Sequence, residues 1–220
     1  MLAGHLDNTE QPRRMTPLPA PEAPQLQAPR NPTEDAILAA AREGLTEGSF
    51  DDLTMDGIAR RAFVSRTTVY FYFPNKRAVV DRLIQGAFAE MYAGAAPYLE
   101  GQGEPRLELR LALGRVVAVV NRNAPVLLLA AHLSGREDRL PVEWEPYLRR
   151  FIGSAARRIR RDQERGVAPA DIPAKDAAQA LCAMVERHVT VEVIKGGGDA
   201  NESIRVLSEL WWRGVYSRPA

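Results

Sequence analysis

The stretch LTMDGIARRAFVSRTTVYFYFPNK, Leu53 to Lys76, carries the signals of two short helices and the turn between them. Thr54 can cap the first and Ser65 the second, since each hydroxyl can accept a hydrogen bond from a free N–H of the turn that follows. Leu53 stands just before its cap and Ile58 at the fourth helical position, the spacing at which two apolar side chains staple a helix start. Val64 and Val69 repeat that device. Two capped helices joined by a short turn predict a helix-turn-helix unit.

The second of these helices is dense in aromatic residues, yet it cannot bury all of them. On a helical wheel Val69 and Phe73 fall within about 40° of each other. Thr67, Thr68 and Phe71 lie on the opposite side, and Tyr70 and Tyr72 flank. One side therefore joins a core, while the other offers two hydroxyls and a phenyl ring to an outside partner. Asn75 opens a long helix whose first turn holds Lys76 and Arg77, cations at the end of a helix dipole that disfavours them by roughly 0.3–1 kcal/mol each. An anion delivered from outside would offset that cost, and phosphate is the natural candidate. From Thr54 to Arg77 the basic residues Arg60, Arg61, Arg66, Lys76 and Arg77 face Asp56 alone, on a chain whose net charge is only +1. The pattern fits a recognition helix entering the DNA major groove: Arg66 toward guanine or a phosphate, Thr67 and Thr68 toward base edges, Phe71 toward a thymine methyl. Tyr70, Tyr72 and Lys76 would hold the backbone, with Thr54 at a second helix N-terminus.

Working outward, residues 1–30 are rich in proline and poor in aliphatic side chains, and they are expected to be disordered because they cannot bury enough apolar area to offset ordering. Beyond Pro32 apolar residues recur at helical spacing without strand-like alternation, which predicts an all-α chain. Its first helix is expected over about 33–47 with Thr33 as cap. Further helices are expected near 75–98, 104–121, 124–136, 141–165, 173–195 and 201–217, with Gly166 and Gly196 as stops. With the two helices of the opening stretch, that gives nine. The division expected is an arm over 1–30, a DNA-binding unit over 31–78 and a helical domain over 79–220.

Several classes of function are set aside by the composition. No uninterrupted apolar run is long enough to span a membrane, and no export signal opens the chain. The single cysteine, Cys182, rules out an internal disulfide and fits a reducing cytoplasm. His5, His132 and His188 lack the spacing of a metal site. No nucleophile motif or phosphate-cradling glycine loop is present, so neither catalysis nor a cofactor is expected. The arginine-rich stretch from Arg149 to Arg165 reads as a solvated helix face.

The residues from Leu53 to Ile84, LTMDGIARRAFVSRTTVYFYFPNKRAVVDRLI, resemble the helix-turn-helix signature of the TetR family of bacterial transcriptional regulators. RDQERGVAPADIPA, LCAMVERHV and LWWRGVY resemble the C-terminal half of the EthR-like branch of that family. The resemblance implies a nine-helix homodimer with a ligand-binding and dimerisation domain, and repression of a palindromic operator on double-stranded DNA relieved by a small lipophilic effector. Phe63 stands where the family usually has glycine in the turn. A bulky residue there costs roughly 1–2 kcal/mol if the backbone is left-handed.

In the C-terminal domain, Leu181, Met184, Val185, His188 and Val189 give the helix over 173–195 an apolar face wider than one-sided burial needs. It and the last helix are expected to build a four-helix dimer interface. Val116, Val120, Trp144, Phe151, Cys182, Val185, His188 and Trp211 are the candidate pocket lining, against the plainer reading of hydrophobic core. Where that branch has amide side chains this chain has Cys182 and Val185, which makes that wall less polar. The competing function is a helical carrier or enzyme for a lipophilic molecule with a vestigial helix-turn-helix. The basic recognition unit speaks against it.

Overall fold

α1 (Pro32–Glu47) starts on Asn31, whose side-chain oxygen accepts the Thr33 N–H at 3.0 Å. The cap expected at Thr33 therefore lies two residues earlier, because Pro32 lacks an N–H and suits the first helical position. The computed structural model describes residues 31–133, 144–195 and 198–217, with side chains excepted at 130–133, 144–145 and 193–195. Among the described residues the chain folds into nine α-helices and one π-helical segment.

α2 (Met55–Arg61) and α3 (Arg66–Tyr72) form the expected pair. Thr54 Oγ1 accepts the Gly57 N–H and Ser65 Oγ accepts the Thr68 N–H, each at 3.0 Å. Leu53, Ile58, Val69 and Phe73 are buried, and Val64 is half-buried beside them. This small unit packs on α1 through α2. α4 (Lys76–Glu100) leaves it at once, capped by Asn75 Oδ1 on the Ala78 N–H at 3.0 Å. The expected division at 78/79 falls inside the first turn of α4, so one continuous helix crosses it.

α5 (Pro105–Arg122) lies along α4, and α6 (Ala124–Leu133) folds back over α1 and α4. α7 (Trp144–Glu164) stacks on α4 through Phe88 against Tyr147, with ring centres 4.5 Å apart, and Tyr92 against Phe151. The expected continuation of α6 past 133, the start of α7 before 144, the Gly196 stop and the arm over 1–30 lie outside the described residues. Gly166 ends α7 with φ +69°, a left-handed conformation that suits glycine.

The helix expected over 173–195 divides. α8 (Ala174–His188) gives way at Val189 to a π-helical segment, Val189–Lys195, before α9 (Ala200–Tyr216). Hydrophobic spacing does not separate the two kinds of turn, since both are right-handed and carry an apolar face. π-helical turns are rare and occur often at functional sites.

Candidate nucleic-acid interface and apolar cavity

Val69 and Phe73 fix α3 to the core, and the rest of the helix turns outward as the wheel requires. Thr54, Arg66, Thr67 and Tyr70 are exposed, Phe71 is 82% exposed, and Thr68 is half-buried. Arg66 is held over the Tyr70 ring at 5.4 Å and pairs with Asp56 at 3.2 Å, which fixes its guanidinium beside the start of α3. The Thr68 hydroxyl lies 2.7 Å from Ser65 Oγ, so the cap orients it. Two other members of the set are tied into the protein. The Tyr72 hydroxyl accepts from Asn31 Nδ2 at 2.7 Å. Lys76 Nζ donates to the Phe50 carbonyl at 2.8 Å and lies 4.4 Å from the centre of the Phe50 ring. That clamp holds the loop leading to Thr54.

Phe63 has φ +54° and is 95% exposed, so the turn does adopt the left-handed conformation in which a side chain is strained. No burial of its ring compensates.

At the other end of α4, Phe88, Met91, Ala95, Tyr98 and Leu99 form one wall of a cavity of about 120 Å³. Of the expected lining, Val116, Val120, Phe151, Cys182, Val185 and Trp211 all face it. The side chain of Trp144 lies outside the described residues. His188 is not in the wall: its Nε2 meets Ser203 Oγ at 3.0 Å, which engages the ring between α8 and α9. Burial pushes the Cys182 thiol up to about 12, so it behaves as a small apolar group. Glu186 and Thr190 are polar members of the lining that hydrophobic pattern-matching passed over.

Beneath the cavity lies a buried polar network. Trp211 Nε1 donates to the Tyr98 hydroxyl at 2.9 Å, and that oxygen lies 3.2 Å from the Tyr216 hydroxyl, which donates to Asp162 Oδ2 at 2.7 Å. Arg158, 1% exposed, pairs with Asp162 and Glu108 and donates to the carbonyls of Tyr98, Gly101 and Gly103. Arg161 donates to the Leu99, Glu100 and Gly101 carbonyls. The reading of this arginine-rich stretch as a solvated face is thus corrected at two positions. The end of α4 leaves carbonyls without helical partners, and these guanidinium groups satisfy them. Charge counting along α7 gave no sign of this, because the partners are non-local.

Among the described residues no group of His, Cys, Asp and Glu could hold a metal ion, and no helix is long and apolar enough to cross a membrane.

A capped recognition helix with exposed hydroxyls and aromatic rings, joined through one helix to an apolar cavity, defines a DNA-binding transcriptional regulator with a ligand domain. Residues 37–83 match the model for bacterial regulatory proteins of the tetR family, and residues 109–217 match that for the C-terminal domain of the transcriptional regulator EthR. The chain belongs to the TetR family, in its EthR-like branch. It is 29% identical over 188 residues to the HTH-type transcriptional regulator EthR of Mycobacterium tuberculosis, covering 83% of this chain and 87% of that protein. With EthR of Mycolicibacterium smegmatis it shares 27% over 186 residues, covering 83% and 86%. Among solved structures, Salmonella enterica GusR shares the fold at TM-score 0.68 and 21% identity, covering 84% of this chain and 96% of that one. SmeT, the repressor of the Stenotrophomonas maltophilia multidrug efflux pump SmeDEF, does so at 0.65 and 18%, covering 85% and 93%.

Proposed function

We propose that this chain is a cytoplasmic repressor that binds a palindromic operator as a homodimer and leaves it when a lipophilic molecule fills the cavity. The observation that carries this reading is the course of α4. Its first residue, Lys76, holds the loop ahead of α2, and its last turns wall the cavity through Tyr98 and Leu99. A ligand that moves this wall moves the DNA-binding unit, without an intervening linker to absorb the change.

Thr54, Arg66, Thr67, Thr68, Tyr70 and Phe71 are the proposed DNA-contacting set. Tyr72 and Lys76 act on it from behind by holding α1 and the loop to Thr54. The dimer is formed by α8 and α9, where Leu210 is exposed and Ala180 and Ala183 give an approaching helix little side chain to displace. Such a dimer sets two recognition helices about 34–36 Å apart, or a multiple of that, on successive major grooves.

The test is a selection of genomic fragments by the purified protein at physiological salt, followed by sequencing. An enriched palindrome supports the reading. Binding without enrichment, fading as salt rises, would leave charge attraction alone and return the chain to the carrier class.

A further inference from the structure

The cavity presents essentially no polar surface, although Tyr98, Trp211, Glu186 and Thr190 all border it. Each of these residues directs its hydrogen-bonding group elsewhere. Trp211 Nε1 donates to the Tyr98 hydroxyl at 2.9 Å, and that oxygen lies 3.2 Å from the Tyr216 hydroxyl, behind the wall. The Thr190 hydroxyl donates to Glu186 Oε1 at 3.2 Å, and the Glu186 carboxylate does not face the cavity. Met91 and Cys182 add only sulfur, a weak hydrogen-bond partner. Among the described residues the one buried side-chain nitrogen or oxygen without a partner is Arg42 Nε, which is not part of this wall.

A polar group brought into such a space loses its hydrogen bonds to water and regains none. A water molecule meets the same obstacle, since it needs two or more polar partners to be held. A hydrocarbon bears no such cost and gains in proportion to the apolar area it hides. We propose that the effector enters as a hydrocarbon: an uncharged molecule, aliphatic or aromatic, with no group inside the cavity that needs a hydrogen bond. This deepens the reading of the cavity as the effector site and rests on it. Recognition is then by bulk and apolar area, so hydrocarbons of unlike chemistry but similar size act alike, and molecules whose polar head must enter are rejected. About 120 Å³ has room for a single ring, since an engineered apolar cavity of roughly 150 Å³ takes benzene.

The test uses the full chain with toluene, phenol and benzylamine, the first two nearly equal in size. Binding is read by calorimetry and from the shift in melting temperature. Toluene is expected to bind about 10- to 100-fold more tightly than phenol, the range set by burying one hydroxyl without a partner. Protonated benzylamine should be weakest. Val185→Thr keeps the shape of the wall and places a hydroxyl on it, so it should narrow the preference for toluene by about fivefold or more. An unchanged preference in this variant, shown to be folded by its melting, would mean that the polarity of the wall does not set the ranking. Phenol binding as tightly as toluene, benzylamine binding most tightly, or toluene failing to bind to the unaltered chain overturns the proposal. Release of the selected operator is measured in parallel. Toluene that binds without releasing the operator overturns the effector reading and leaves the hydrocarbon site in place. Release by phenol or benzylamine with no response to toluene overturns the proposal and leaves the effector reading standing.

Discussion

Arg158 Nε donates to Asp162 Oδ2 at 2.7 Å one turn along α7, with each side chain only 1% exposed. The pair is the hub on which the α4 terminus, α9 and α5 converge, through Tyr98, Tyr216 and Glu108. A buried ion pair need not stabilise a fold relative to an apolar substitute, but removing one partner strands the other. Arg158→Ala is therefore expected to cost about 3–5 kcal/mol, read as a fall in the urea midpoint with little change in slope. Asp162→Ala, which also orphans the Tyr216 hydroxyl, should cost a similar amount. A double-mutant cycle should show losses far from additive.

The turn of the helix-turn-helix stores strain at Phe63. Replacing it with glycine should stabilise the chain by roughly 1–2 kcal/mol, the cost of a left-handed side-chain-bearing residue, less the added freedom of the unfolded chain. Thermal melting checks this, and the sign is the informative part. A loss of stability would mean that the exposed ring has a partner.

Thr68→Ala should lower affinity for the selected operator far more than for random DNA, because a base contact carries sequence information. Equal losses on both would remove Thr68 from the groove. Lys76→Ala should act differently from a phosphate contact. Its ammonium is already bonded to the Phe50 carbonyl, so stability should fall while the salt dependence of binding changes by less than the step of about one expected for a lost phosphate contact.

Burial pushes the Tyr98 phenol from an ordinary 10.0 up to about 12, despite its bonds with Tyr216 and Trp211. The unfolded chain ionises this group first, so the stability it contributes is whole below pH 10.0 and is lost as pH rises through about 12. Burial raises the Tyr216 phenol as well and pushes the Cys182 thiol from 9.0 up to about 12, so each adds a loss of the same sign. Unfolding free energy measured across this window should fall steeply for the unaltered chain. It should fall less steeply for Tyr98→Phe, whose starting stability is lower because the Trp211 N–H loses its acceptor.

What was legible in the sequence was local. The caps at Thr54 and Ser65, the start of α4 at Asn75, and the split of α3 into a buried Val69–Phe73 side and an outward Phe71 side, depend on neighbours within a turn or two. Part of the cavity wall was legible too, at Val116, Val120, Phe151, Cys182, Val185 and Trp211, whereas the α4 side from Phe88 to Leu99 was not. Arg158 was misread because, beyond Asp162 on its own helix, its partners lie on α4, α5 and the loop between them, some as backbone carbonyls that no residue type announces. The π-helical segment was missed for a related reason: one changed hydrogen-bond register leaves the apolar spacing almost intact. His188 looked like pocket lining by position, and Ser203 on α9 claims it instead.

The unbroken run of α4 has a mechanical consequence. Its 25 residues form a rod about 37 Å long at 1.5 Å per residue. Arginine clamps grip the far end, so that end serves as a pivot. A tilt of only about 5° there sweeps the near end by about 3 Å, several times the roughly 0.5 Å range over which an N–H···O bond holds good geometry. On the function proposed above, a displacement of one cavity-wall side chain would be enlarged in this way before it reached the recognition helix. The gain of the device is set by rod length, and α4 keeps its full length through Gly86, Gly94 and Pro97, which lie within it.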